Sequence, residues 1–562
     1  MKNLLSVILL LFLIPVCLPA QDPASYRIVK NQSGRNGMVV SAHPLASEAG
    51  ISILQKGGNA FDAAIAVQFA LAVVYPQAGN LGGGGFLVAR FSDGKLLALD
   101  FRETAPAAAT PKMFLDSSGN PVPWRSLKGP LASGVPGTVD GIFATLPHAR
   151  LPLKELVEPA INLARKGFRI TRREAESLNR NRENFLKHNQ FPVAFVKNTP
   201  WKEGDILRQP DLAVTLEKIR EGGRDSFYCG STAHAIEQVM KQKGGIITRQ
   251  DLKNYHTVER KPDTFSYRGY KVITMPLPSS GSFILRQVLS ILSWYPVRNY
   301  GFASSAAIHL MAEAERRSYA DRARYLGDPD FIHVPIALLT DPEYLKKRME
   351  NYSPERATPS SAVSYSLADE TTETTHFSVI DAEGNAVSVT TTLNGSYGCF
   401  VVVPGRGFLL NNEMDDFSTK PGFPNAYGAL GGKANAIEPG KRMLSSMSPT
   451  ILLSGNKPFL ILGSPGGTTI PTTVLQVIVN VIDFGMPLKE AVFAPRFHHQ
   501  WMPDQIVMEK GFPQKTLQEL KKKGHHISQA RALGSVNAIM VHADGTYEGV
   551  GDRRGDNSVA SY

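Results

Sequence analysis

The feature that most constrains this chain is an abrupt change of character at Thr374. From Ser353 to Glu373 the sequence holds almost no bulky apolar residue and includes Pro354 and Pro359, a composition that predicts an exposed, mobile segment. Directly after it, His376 to Asp381, a turn through Glu383-Gly384-Asn385, and Ala386 to Leu393 predict a β-hairpin rich in β-branched residues. A polar tether thus runs straight into a core strand, and Thr374 stands at the boundary. A threonine hydroxyl is a weak nucleophile unless a base within hydrogen-bond reach takes its proton. An α-amino group titrates at about 7.7 to 8.0 in peptides, so breaking the Glu373–Thr374 bond would give Thr374 a base on its own backbone. Its γ-methyl restricts χ1 and helps to hold the hydroxyl in one direction. The same hydroxyl could first attack the Glu373 carbonyl, moving the acyl group from nitrogen to oxygen before water releases it.

The chain has 562 residues, 43% hydrophobic and 20% charged, which describes a folded protein and leaves the number of domains open. Residues 1–20 read as a cleaved secretory signal: Lys2, an apolar run from Leu4 to Leu13, then Ala20 ahead of polar residues. That run is short for a membrane span, so the mature protein is expected to be secreted or periplasmic, without a stable membrane span. Lipidation of Cys17 is the alternative, although Val16 stands where a small residue usually precedes such a cysteine. Removal of the signal leaves Cys229 and Cys399 as one potential pair, too few for a disulfide framework. The net charge of +11 is dispersed, and Lys521-Lys522-Lys523 reads as a solvated helix face. Without aromatic interleaving or zinc spacing the chain is not read as a nucleic-acid binder. The charge suits anionic small molecules.

Elsewhere the elements are legible in part. A segment from Ser47 to Gln55 ends at Gly57, and Asn59, with Asp62 three positions on, caps a helix running to Val74. That helix is apolar nearly all round, which predicts burial between layers. The glycine-rich stretch from Gly79 to Gly85 feeds a hairpin of Phe86 to Phe91 and Leu96 to Phe101. No Lys-Ser/Thr follows the glycines, so close backbone packing is expected rather than a phosphate loop. Leu153 to Met349 is mainly helical by pattern, with Ala306 to Tyr325 the best example. His498-His499 and His525-His526 lack partners at ligand spacing, and no metal or organic cofactor is expected.

From Thr374 onward the mature chain resembles the γ-glutamyltranspeptidase family, first in Thr374-Thr375-His376-Phe377-Ser378, which matches the family's processing motif. The resemblance implies an α+β fold, a four-layer αββα sandwich of the N-terminal nucleophile hydrolase type. It further implies a heavy chain of residues 21–373 and a light chain of 374–562, two fragments of one precursor forming one core. Arg102, in Asp100-Phe101-Arg102-Glu103, matches the arginine that clamps the substrate α-carboxylate; a planar guanidinium fits a carboxylate bidentately. A salt-bridged structural arginine is the other reading of that motif. Glu413 and Asp416, in Asn411-Asn412-Glu413-Met414-Asp415-Asp416, together with Asn394, match the groups that hold the α-ammonium. Some members have glutamine where this chain has Glu413, so the extra charge is expected to alter affinity or pH response.

Ser445 and Ser446 match the paired serines that bind the α-carboxylate, though two serines before a strand also suit a turn. Gly466 and Gly467, in Gly463-Ser464-Pro465-Gly466-Gly467, match the oxyanion loop. Thr392 matches a second threonine bonded to the nucleophile, and Tyr427, within Pro421 to Gly428, matches a lid that a plain surface turn would equally explain. The function implied is cleavage of the γ-glutamyl amide of glutathione and related compounds, with transfer to water, amino acids or dipeptides. Two rivals stand beside it: an acylase of the same fold with another acyl group, and a non-catalytic binding protein on the same scaffold.

Overall fold

The computed structural model describes residues 25–363, 374–420, 422–423 and 431–562. The expected signal over 1–20 with Cys17, the processing residue Glu373 and the lid residue Tyr427 lie outside the described residues. Two seven-stranded sheets form the centre. The first runs Ser558–Ser561, Gly37–Ser41, Thr375–Asp381, Ala386–Thr392, Gly84–Arg90, Leu96–Phe101, Val258–Arg260, antiparallel throughout. The second runs Asn31–Gly34, Tyr547–Gly551, Asn537–Val541, Lys457–Gly463, Thr450–Ser454, Tyr270–Thr274, Asp263–Tyr267.

Helices Pro44–Gln55 and Ala60–Val74 cover the first sheet, and Gly281–Ser293 and Ile470–Ile482 cover the second, so the order of layers is αββα. Asn59 and Asp62 form the expected capping box, with Asn59 Oδ1 accepting from the Phe61 and Asp62 N–H groups and the Asp62 carboxylate accepting from Asn59 N–H. All residues of Ala60–Val74 are buried, as an all-round apolar surface requires. Each large aliphatic or aromatic side chain so buried contributes roughly 1.5–3 kcal/mol relative to exposure. Between the sheets, Val40, Val88 and Ile380 meet Ile461, Ala538 and Val550 in one apolar cluster. Hydroxyls tie the same interface: Ser378 Oγ donates to Asn537 O at 3.1 Å and Ser388 Oγ to Leu462 O at 3.2 Å.

The cysteine pairing that the sequence leaves open is decided: Cys229 is exposed and Cys399 buried, and both are free thiols. Helix Ser305–Tyr325 is formed as the pattern predicts and is buried despite its charge, with Glu313, Glu315, Arg316, Arg317 and Arg322 all inside. Buried charges persist only when paired and hydrogen-bonded, and here Glu313 takes Arg317 Nη1 at 2.7 Å while Arg316 meets Asp504.

The same helix corrects the reading of the tether, whose first part is pinned. Thr358 N–H donates to Glu313 at 3.0 Å, Ser360 N–H to Asp504 at 2.7 Å, and Ser360 Oγ to Trp501 O at 2.6 Å. His309 Nε2 lies 2.7 Å from Ser353 O and its Nδ1 lies 2.7 Å from His525 Nε2. His525 therefore does have a ring partner, 216 positions away in sequence. Short polar residues buried through hydrogen bonds leave no mark in a hydrophobicity pattern, which is why composition reads this stretch as exposed.

Candidate active site

Hairpin pairing places the two threonines. Thr375 faces Thr391 across the ladder, so Thr374, one residue before the strand, comes opposite Thr392. Their hydroxyl oxygens are 3.4 Å apart, and Thr374 is 5% exposed, enough to be reached from the pocket it lines. The backbone N–H of Asn394 donates to Thr392 Oγ1 at 2.7 Å, fixing that hydroxyl from behind. The glycine loop explains how the neighbouring strand comes so near: a Cβ at Gly83 would lie 2.0 Å from Thr392 O. Close backbone packing, not phosphate binding, is thus its role. Two residues along from Thr374, the His376 imidazole is buried between the sheets, 2.9 Å from Thr390 Oγ1 and 3.1 Å from Ser378 Oγ. Burial pulls its pKa down to about 3, so it is neutral and serves as packing rather than as a base.

Beside the threonines, the second sheet delivers a tight turn after strand Lys457–Gly463. Gly466 and Gly467 both have positive φ, 134° and 51°, conformations that favour glycine. Gly467 and Thr468 line the pocket with Thr374, at the start of the turn that leads into helix Ile470–Ile482. Gly466 lies directly behind Gly467 and does not line the pocket itself.

The opposite wall is charged. Arg102 follows strand Leu96–Phe101 and is fully buried, its Nε donating to Met443 O at 3.2 Å and its two Nη groups held by Glu413 and Asp416. Glu103 Oε2 is 3.6 Å from Arg102 Nη1. Asn411 accepts from Glu413 N–H at 3.0 Å and so sets the short turn Glu413–Asp416. That turn aims Asp416 inward, while Asp415 turns away to accept from Ser126 Oγ at 2.6 Å. The paired acids are therefore divided between the pocket and the scaffold. Asn394, in the left-handed region at φ 71°, lines the same wall and donates from Nδ2 to Asn412 O at 2.9 Å.

Three carboxylates around one guanidinium, Glu103 and Glu413 buried and Asp416 partly exposed, cannot all hold a full charge. Burial pushes Glu413 well above the usual carboxylate range, raises Asp416, and lifts Glu103 to about 7. For Arg102 burial opposes the charge, but Glu413, Asp416 and Glu103 outweigh it and keep the guanidinium protonated. The direction that stands is a charged arginine with a proton shared among its acids. Such a cluster is a socket for a zwitterion, since an incoming carboxylate can take the arginine while an ammonium takes the acids.

Ser445 and Ser446 complete the pocket, and with them Arg102, Glu413, Asp416, Asn394, Thr374, Thr392 and Gly467 share one cavity. Sequence reasoning missed Arg322, Met447, Thr468 and Ile470 on its lining and Glu103 in the charge cluster. Glu103 could have been suspected from its place next to Arg102. For Arg322 there was no signal, because its helix pattern reads as solvent-facing.

Comparison with known proteins agrees with this geometry. The family model described as gamma-glutamyltranspeptidase matches residues 46–562. The chain is 48% identical over 554 residues to the glutathione hydrolase proenzyme of Escherichia coli (strain K12), covering 97% of this chain and 96% of that protein. It is 38% identical over 539 residues to the acylase ACY 1 proenzyme of Pseudomonas sp. (strain SE83), covering 94% of each. Among solved structures, a cephalosporin acylase from Bacillus halodurans is similar with a TM-score of 0.83 at 27% identity, over 96% of this chain and 99% of that one. Helicobacter pylori gamma-glutamyltranspeptidase matches with a TM-score of 0.57 at 46% identity, over 61% of this chain and 96% of that one. With a family match over residues 46–562 and a threonine-headed strand inside an αββα core, the fold is that of the N-terminal nucleophile hydrolases, and the chain belongs to the γ-glutamyltranspeptidase family.

Proposed function

We propose that this chain is a self-processing γ-glutamyltransferase and glutathione hydrolase, with Thr374 as nucleophile after cleavage of the Glu373–Thr374 bond. The observation that carries the reading is that Arg102, paired with Glu413 and Asp416, lines the same pocket as the Thr374 hydroxyl. Relatives named as proenzymes support processing into residues 21–373 and 374–562. Among the described residues no helix is long and apolar enough to cross a membrane, and export to the periplasm or beyond rests on the sequence of residues 1–20.

In the reaction, Arg102, Ser445 and Ser446 take the substrate α-carboxylate while Glu413, Asp416 and Asn394 take the α-ammonium. The γ-carbonyl then lies over Thr374. Its Oγ1 attacks, the freed α-amine accepts the hydroxyl proton, and the carbonyl π pair moves to oxygen opposite the backbone N–H of Gly467, with Gly466 shaping the turn that presents it. Donors of this kind are worth about 2.7–4 kcal/mol each. Collapse expels the amine leaving group, which receives the proton from the α-ammonium of Thr374, and a γ-glutamyl ester remains. Water or an acceptor amine reverses these steps on the ester, and Thr392 holds the departing Oγ1.

Denaturing electrophoresis tests this directly. The native sequence should give two bands, the smaller beginning Thr-Thr-His, and Thr374→Ala should give one band and no turnover. The similarity to acylases favours one rival, decided by substrate: turnover of a glutaryl anilide but not a γ-glutamyl anilide would replace the proposal.

A further inference from the structure

Resting on the γ-glutamyl reading, we infer that Arg322, acting with Ser280, is a positioning residue that turns the Ser446 hydroxyl into a fixed donor for the substrate α-carboxylate. A serine hydroxyl has one hydrogen and two lone pairs, and it serves an anion only if the hydrogen is not spent elsewhere. Arg322 Nη2 donates to Ser446 Oγ across 3.3 Å, and Arg322 Nε donates to Ser280 Oγ across 3.0 Å. A guanidinium only donates, so each contact fills a lone pair and drives the hydroxyl hydrogen away from the arginine. Ser280 spends its hydrogen on Ser445 O at 2.7 Å. Its oxygen is 3.5 Å from Ser446 Oγ, too long to compete with a carboxylate for the Ser446 hydrogen.

Ser445 shows the same device by another route. Its Oγ accepts the backbone N–H of Met447 at 3.2 Å, which again leaves the hydroxyl hydrogen to point outward. Both serines line the pocket with Arg102 and Thr374. Arg322 is only 7% exposed, and its charge also favours ionised Asp416. Because arginine keeps its proton at all working pH, the donor pattern does not switch off with alkalinity. One turn earlier on the same helix, the Tyr319 hydroxyl donates to Thr468 O in the oxyanion turn. The end of helix Ser305–Tyr325 therefore braces both walls of the pocket.

The test compares γ-glutamyl-4-nitroanilide with 4-aminobutyryl-4-nitroanilide, which keeps the amine and the scissile amide but lacks the α-carboxylate. With Arg322→Gln, KM for the γ-glutamyl compound should rise about tenfold with kcat within about twofold, while KM for the 4-aminobutyryl compound, which feels only the weaker loss of charge near Asp416, should rise by less than about twofold. Arg322→Gln placed on Ser446→Ala should add little, since both remove the same hydrogen bond. Ser280→Ala gives a smaller shift of the same pattern and carries the test if the arginine variant does not mature into two fragments. Equal losses on both substrates, or additive effects of Arg322→Gln and Ser446→Ala, would overturn the inference. Failure of the unaltered protein to turn over γ-glutamyl-4-nitroanilide would instead count against the function proposed above.

Discussion

The pocket has two walls built on different physics. At the threonine wall the partners are neutral and close in sequence: Thr374 and Thr392 lie on one hairpin, and the glycine turn contributes only backbone. At the charged wall, Arg102 reaches Glu413 and Asp416 across 311 and 314 positions, with Arg102 and Glu413 buried and Asp416 partly exposed. Strand register sets the first wall, and mutual charge neutralisation sets the second. The first should therefore govern the rate of the chemical step and the second the capture of substrate.

The largest expected effect that separates them is Arg102→Lys. The charge survives but the planar fork is lost, so KM for a γ-glutamyl anilide should rise about a hundredfold with kcat much less affected. A fall confined to kcat would break the division. Thr392→Val should do the converse at smaller scale, lowering kcat about tenfold at near-constant KM, in line with one hydrogen bond removed and the Asn394 N–H left unanswered.

Smallest is a pH effect at the charged wall. As pH falls through about 7 the acid cluster takes up a proton on Glu103, an ammonium is held less well, and KM should rise. Glu413→Ala removes the hydrogen bond by which Glu413 holds the Glu103 pKa down, so Glu103 should keep its proton longer and the rise in KM should begin at higher pH. A KM profile of the variant that overlays the native one would remove Glu413 from the cluster's electrostatics.

The contrast also explains what could be read in advance. Thr374 was legible from the change of composition at the start of the hairpin; Thr392 was found through family resemblance, and local hairpin pairing accounts for its place beside Thr374. The helix Ala60–Val74 and the close-packed glycine loop were legible for a similar reason, each following from short-range steric rules. Arg102, Glu413 and Asp416 carried no such periodic signal and were found through family resemblance. Arg322 escaped both routes, since a helix of alternating Ala, Glu and Arg reads as solvated unless one knows which acids meet those arginines. The stretch through Thr358 and Ser360 misled in the same way, its anchors being Glu313, Asp504 and Trp501. The order of the two sheets was not derivable from residue pattern at all, because most neighbouring strands are distant in sequence.

That strand order has a mechanical meaning. In the first sheet the ribbon Gly37–Ser41 is stitched on one side to Ser558–Ser561 and on the other to Thr375–Asp381. Severing the backbone before Thr374 would cut one thread of a woven cloth and leave its seams intact. The two pieces should travel together through size-exclusion chromatography and part only in denaturant, so that the newly exposed amine is presented on a frame no looser than before.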